Sequence, residues 1–189
     1  MKNIISHPES FKSGFRILML TLRSKDGGKK NNPDRVSKKF ITSSPEEYDK
    51  VLTKLIATAT GDERIYATID ERDMKKGIML FKHRQLDADY FDQPSHFAFY
   101  TDIYNRWISA LQSPPSRVGT LFLVDIDNDE ENGQNVGQET KIRNEITSQN
   151  IEIVHEYPTK SGIHIITKPF NPSVVSFSIQ KNAMMLLAY

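Results

Sequence analysis

Asp125 and Asp127 close the apolar run Leu121-Phe122-Leu123-Val124-Asp125-Ile126-Asp127. Alternate side chains of a strand share a face, so the two carboxylates would project together, roughly 6.5 Å apart along the backbone. That spacing suits a clamp for one or two divalent cations. The four apolar residues ahead predict a strand buried on both faces. Two aspartates entering a loop also read as turn formers.

The second stretch with chemical potential is Tyr157-Pro158-Thr159-Lys160-Ser161-Gly162-Ile163-His164. Ser161 brings a hydroxyl and an N–H into a turn, and Gly162 lets backbone approach a phosphate with no Cβ in the way. His164 opens the returning strand, with Ile163 and Ile165 on its other face, and Lys160 and Lys168 add positive charge. A turn of N–H groups beside a lysine and a histidine can cradle a polyphosphate. The same residues also make an ordinary Ser-Gly hairpin with a surface histidine. His155 and His83 read as structural.

The elements that must hold these groups follow from local pattern. Phe15 to Arg23 reads as a first strand, and the Gly/Asn/Pro-punctuated segment 24–35 as a long loop. Ser44-Pro45-Glu46-Glu47 opens a helix, with Ser44 as cap, Pro45 at the first helical position and Glu47 completing a capping box. Its stripe is Tyr48, Val51, Leu52, Leu55 and Ile56, and Gly61 is placed to stop it. Arg64 to Asp70 returns to strand character, and residues 71–85 read as an interrupted helix. A further helix runs over about 96–112, with Tyr100, Ile103, Tyr104, Trp107, Ile108 and Leu111 as its core stripe, and Pro114-Pro115 ends it. Residues 139–149 form a weak helix around Ile142 and Ile146, Ile151 to His155 a strand, Ile163 to Thr167 its hairpin partner, and Ala183 to Ala188 a late apolar segment. The expected class is α+β: one domain over 1–189, in two halves of about 1–115 and 116–189.

The chain has 189 residues, no cysteine and a net charge of +1. It can bury roughly 70% of its unfolded surface without a disulfide or metal staple. Thiolate zinc sites and cysteine nucleophiles are excluded. No apolar run reaches the roughly 20 residues that span a bilayer, so a soluble cytoplasmic protein with no membrane partner is expected. Charge is segregated: residues 1–43 carry ten Lys/Arg against three Asp/Glu, and residues 121–156 nine acids against two bases. From Tyr157 onward there are three lysines and no acid. An acidic block between basic ones fits a cation-bearing centre with phosphate-binding flanks, and equally fits segregated solvated faces.

Taken together, the paired-aspartate strand and the Ser-Gly-x-His hairpin resemble the catalytic core of the archaeo-eukaryotic primase superfamily, over residues 118–170. The resemblance matches Asp125 and Asp127 to the family's first motif, and Ser161 and His164 to its second. It implies an N-terminal α/β unit followed by an RRM-like β-α-β-β-(x)-β unit, with the site between them. It further implies primer synthesis or template-directed nucleotidyl transfer. Asp125 and Asp127 would hold Mg²⁺ or Mn²⁺, two ions about 3.5–4 Å apart. Lys160, Ser161, Gly162 and His164 would grip a nucleoside triphosphate, and single-stranded nucleic acid would be the other substrate. Helicase or other replication proteins would act as separate chains, as in a phage or plasmid replication system. Arg72, Lys75, Lys76, Lys29 and Lys30 could track the nucleic acid.

One departure stands out. The family's third motif supplies an aspartate downstream of the histidine, whereas this chain has no acid after Glu156; Ser178 or Gln180 stands in the corresponding region. Asp70, Asp129 or Glu130 could complete the set. Failing that, the alternatives are a degenerate member that binds nucleic acid or protein without polymerising, or a metal-dependent nuclease.

Overall fold

Strand β1 (Arg16–Leu22) is the centre from which the rest is built, and its two faces go to different partners. Leu18 and Leu20 are fully buried in a cluster with Tyr48 and Leu55. Ile17 on the opposite face is buried with Ile108 and Leu111, and Met19 packs against the same group. The computed structural model describes residues 3–6, 8–22, 35–90, 99–127 and 137–189.

β1 pairs antiparallel with β2 (Arg35–Thr42) and β3 (Glu63–Thr68). Between β2 and β3 lies helix α1 (Pro45–Thr58). Ser44 Oγ accepts the Glu47 N–H at 3.2 Å. The reciprocal arm of the expected capping box reaches one residue further back: Glu47 accepts from Ser43 N–H at 2.8 Å and Ser43 Oγ–H at 2.7 Å. Helix α1 ends at Thr58, with Ala59 extended as its cap, before Gly61 is reached.

After β3 come the short β4 (Glu71–Arg72), then α2 (Met74–Tyr90) and α3 (Ile103–Gln112). The expected interrupted helix over 71–85 is thus two strand residues and one continuous helix. β5 (Arg117–Val118) pairs with β4. The expected helix over about 96–112 is divided at Asp102, so that α3 begins at Ile103, and only the second half of the expected stripe is buried. Ile108 and Leu111 are buried, whereas Tyr100, Ile103 and Tyr104 are exposed, at 40%, 47% and 53%. The two tyrosines spend their hydroxyls on surface partners instead: Tyr104 donates to Lys39 O and Tyr100 to Asp89.

The second sheet holds β6 (Phe122–Asp127), β7 (Ile153–Pro158), β8 (Gly162–Thr167) and β9 (Gln180–Lys181), in the order β7-β8-β6-β9, all antiparallel. Helix α4 (Gln138–Ser148) covers one face, with Ile142 and Ile146 against Val124, Ile126 and Ile165. The other face meets the first sheet: Leu123, Tyr157 and Ile166 share a cluster with Leu18, Leu20 and Leu186.

The late apolar segment, β10 (Met184–Ala188), does not extend this second sheet. It pairs antiparallel with β3, giving the first sheet the order β10-β3-β1-β2. Met185, Leu186, Leu187 and Ala188 are all buried, and the joint between the sheets can bury them all. The class is α+β. Among the described residues, no helix is long and apolar enough to cross a membrane.

Candidate functional site

Along β6 the burial pattern changes halfway. Phe122, Leu123 and Val124 are buried, then Asp125 and Asp127 are exposed while Ile126 stays buried against α4. The two-residue period puts both carboxylates on the face turned towards the first sheet. Opposite them on β8, Asp125 pairs with His164 and Asp127 with Gly162. The paired strands bring the two sequence stretches side by side.

The side chains follow the register. His164 Nε2 lies 2.9 Å from Asp125 Oδ1, and Ser161 Oγ donates to Asp127 Oδ1 at 3.2 Å. Asp125, Asp127, Ser161 and His164 line one cavity of about 520 Å³ between the sheets. Thr21, Arg64 and Tyr66 of the first sheet form its other wall. That volume is in the range of small-molecule and cofactor sites. Thr21 Oγ1 is buried in this wall with no hydrogen-bond partner among the described residues, on a residue only 7% exposed.

Gly162 has a reason different from the one its type suggests. A Cβ here would run into the Ile126 carbonyl oxygen, with Ile126 C at 2.9 Å and Asp127 Cα at 3.1 Å. The close approach is to the backbone of β6, at the point where the aspartates are presented. Lys160 is exposed in the turn and does not line the cavity; Lys168 is ion-paired with Glu152 at 2.8 Å. Lys181 pairs with Phe122 on β6, and its Nζ sits 5.4 Å from the centre of the Phe122 ring, on the face of the sheet turned away from Asp125.

The expected third carboxylates are resolved in part. Asp70 is 1% exposed and holds the start of β6, at the end away from the aspartates. Its Oδ1 accepts the Leu121 N–H at 2.8 Å, and Arg117 lies 3.6 Å from its other oxygen. Burial raises its pKa, opposed by the Leu121 N–H and Arg117. Asp129 and Glu130 lie outside the described residues. Gln180, by contrast, is in the cavity: it pairs with Leu123 on β9, one step along the face from Asp125.

Arg72 is no surface cation. It is 2% exposed and donates to Asn182 Oδ1 at 2.7 Å and Gln112 O at 3.2 Å. Burial lowers its pKa to about 10. It joins β4, the end of α3 and the turn before β10, so it is withdrawn from any nucleic-acid path. Lys75 and Lys76 are exposed on the first turn of α2, with Lys76 near Asp73; Lys29 and Lys30 lie outside the described residues.

Tyr157 carries no signal by type, since an aromatic in a strand is ordinarily core. In the fold its hydroxyl lies 2.9 Å from His164 Nδ1 and accepts the Leu186 N–H at 3.1 Å. The β7–β8 register, Tyr157 opposite His164, is the one clue a hairpin reading could have used.

The donors suit a hard divalent ion. Two carboxylates on one face offer oxygen ligands, and Mg²⁺ is typically held by one or two carboxylates with waters and substrate phosphates completing its shell. Among the described residues no group of three or more His, Asp or Glu could enclose an ion by itself. Neither a family model, nor a curated protein, nor a solved structure matches this chain.

Proposed function

We propose that this chain is a primase-like nucleotidyltransferase core, which binds a nucleoside triphosphate with Mg²⁺ or Mn²⁺ between its sheets and acts on single-stranded nucleic acid. One observation carries the reading. Asp125 and Asp127 on one strand, and Ser161 and His164 on the adjoining hairpin, line a single cavity and pair with each other at 2.9 and 3.2 Å. The order β6-α4-β7-β8-β9 around one four-stranded antiparallel sheet supports an RRM-like unit.

The bound ions would activate an attacking hydroxyl and neutralise charge on the leaving pyrophosphate. The chain's own groups do the positioning. Ser161 Oγ–H and His164 Nε2–H are donors that can turn from the aspartates to phosphate oxygens. Because the described residues offer two carboxylates at the cavity, waters and the triphosphate would complete the ion's shell, so nucleotide should strengthen ion binding.

Calorimetry tests this. Mn²⁺ with a nucleoside triphosphate should bind the wild type and fail to bind Asp125→Ala/Asp127→Ala, while His164→Ala weakens nucleotide affinity. Equal binding by wild type and the double variant refutes the reading.

Gln180 in the cavity favours a second reading, a nucleic-acid- or protein-binding module that has kept the site without turnover. A primer-extension assay with labelled nucleotides separates the two, since any metal-dependent product excludes the second. Degradation of the strand instead of extension points to a nuclease.

A further inference from the structure

One line of hydrogen bonds at the site passes from the first sheet to the second. The Leu186 N–H on β10 donates to Tyr157 Oη on β7 at 3.1 Å, Tyr157 Oη lies 2.9 Å from His164 Nδ1, and His164 Nε2 lies 2.9 Å from Asp125 Oδ1.

The direction of the protons in this line follows from its two ends together with the buried phenol. A backbone N–H can only donate, so one lone pair of Tyr157 Oη is taken. An ionised carboxylate can only accept, so its contact with Nε2 favours the proton there. The Asp125 side chain is 35% exposed and can turn to solvent, so it does not fix the tautomer by itself. A neutral imidazole with Nε2–H has an accepting Nδ1, and the Tyr157 hydroxyl hydrogen is the donor that fills it. The phenol is held as O–H, because burial of Tyr157, 3% exposed, pushes its ionisation upward. The reverse arrangement, with Nδ1–H facing Oη, would leave the hydroxyl hydrogen in a buried position without an acceptor among the described residues. Burying an unmatched donor is costly. Ring packing holds the pair in register: the Tyr157 and His164 rings meet edge to face, 5.2 Å between centroids.

We propose that Tyr157 is a positioning residue that locks His164 as the Nε2–H tautomer, with Leu186 of the opposite sheet setting the lock. The role rests on the nucleotide reading above: a histidine fixed as an Nε2–H donor can pass that hydrogen bond from Asp125 to a phosphate oxygen, freeing the carboxylate for the ion. A histidine free to place its proton on Nδ1 would turn a lone pair towards the phosphate and repel it. Because Leu186 and Tyr157 belong to different sheets, the tautomer also depends on the two sheets staying in contact.

Long-range ¹H–¹⁵N correlation spectra of the full chain, without ligand, read the tautomer directly, with His164 assigned by comparison with His164→Gln. The wild type should show His164 with a protonated Nε2 and an unprotonated Nδ1. Tyr157→Phe should show a mixture of tautomers and bind the Mn²⁺–nucleotide about three- to tenfold more weakly, the worth of one directed hydrogen bond. A protonated Nδ1 in the wild type overturns the lock, and this holds whether or not the Phe variant folds. So does a Tyr157→Phe variant with an unmixed Nε2–H tautomer, or with mixed tautomers and unchanged affinity. A wild type with the expected tautomer that binds no nucleotide refutes the nucleotide reading and upholds the lock.

Discussion

Replacing Gly162 with alanine separates two roles for one residue. If the glycine serves only to admit a phosphate, the extra methyl weakens nucleotide binding and leaves the fold alone. The structure assigns a different cost. The new Cβ meets the Ile126 carbonyl, Ile126 C at 2.9 Å and Asp127 Cα at 3.1 Å, all backbone atoms of β6. Ordinary carbon contacts sit at about 3.5–4.0 Å and the carbonyl oxygen is the nearest atom of the three, so the strands must part by more than about 1 Å, with no rotamer change to relieve it. Overpacking of this kind costs about 1–3 kcal/mol, and a rigid neighbour puts it at the upper end. Weakening the β6–β8 hydrogen bonds at this pair adds about 1 kcal/mol. At roughly 2–4 °C per kcal/mol for a chain of this size, a loss of about 4 kcal/mol lowers Tm by about 8–16 °C. The displacement falls on Asp127 and on its 3.2 Å contact with Ser161, so Mn²⁺–nucleotide affinity should fall with it. Differential scanning fluorimetry and calorimetry on one preparation give both numbers. A Gly162→Ala protein that loses nucleotide affinity while its Tm moves by less than about 1 °C refutes the packing argument.

Gln180→Glu would place a third carboxylate beside Asp125 and should tighten Mn²⁺ binding without nucleotide by roughly tenfold or more, read by calorimetry; unchanged affinity would mean that Gln180 does not face the ion. Arg72→Met removes the donor to Gln112 and Asn182 and leaves Asp70 with less compensating charge, so urea denaturation should show a loss of about 3 kcal/mol, and one below about 1 kcal/mol would contradict its bridging role. His155 has its pKa lowered from 6.5 chiefly by burial, although the Ser6 backbone and Glu156 act against it. The unfolded chain therefore takes up its proton first as pH falls through about 6.5, and the stability present above that value is lost as pH falls through the lower folded value. His155→Phe, with Phe11 and Tyr157 as ring neighbours, should flatten the dependence of the urea midpoint on pH in that window, and an unaltered slope would count against it.

The halves of the site were readable because both announce themselves locally. The period of two around Asp125 and Asp127, and around Ile163, His164 and Ile165, survives in the fold with every side chain on the expected face. Helix α1 was legible from Ser44 and Pro45, and α4 from two isoleucines, Ile142 and Ile146. Strand β2 was hidden, because an edge strand is protected by charge, and Ser37, Lys38 and Lys39 make Arg35–Thr42 look like loop. The exposed half of the α3 stripe was misjudged for the reverse reason: Tyr100 and Tyr104 satisfy their hydroxyls at the surface, which periodicity cannot register. What local pattern could not supply at all is who pairs with whom. Gln180 reaches the site only because β9 lies beside β6, Gly162 is tight only because Ile126 is opposite, and Tyr157 acts only through a strand of the other sheet.

That β10 closes the first sheet bears on the order in which the chain can fold. β1, β2 and β3 leave the ribosome early, but the strand that covers the free edge of β3 follows only after the whole second sheet has been made. At about 5–20 residues per second, the delay is on the order of ten seconds. Through that interval β3 exposes an unpaired edge rich in Ile65, Tyr66 and Ala67, a template for pairing with a neighbouring nascent chain. The last strand is thus both lock and shield, and yield of native protein should depend on how crowded and how fast synthesis is.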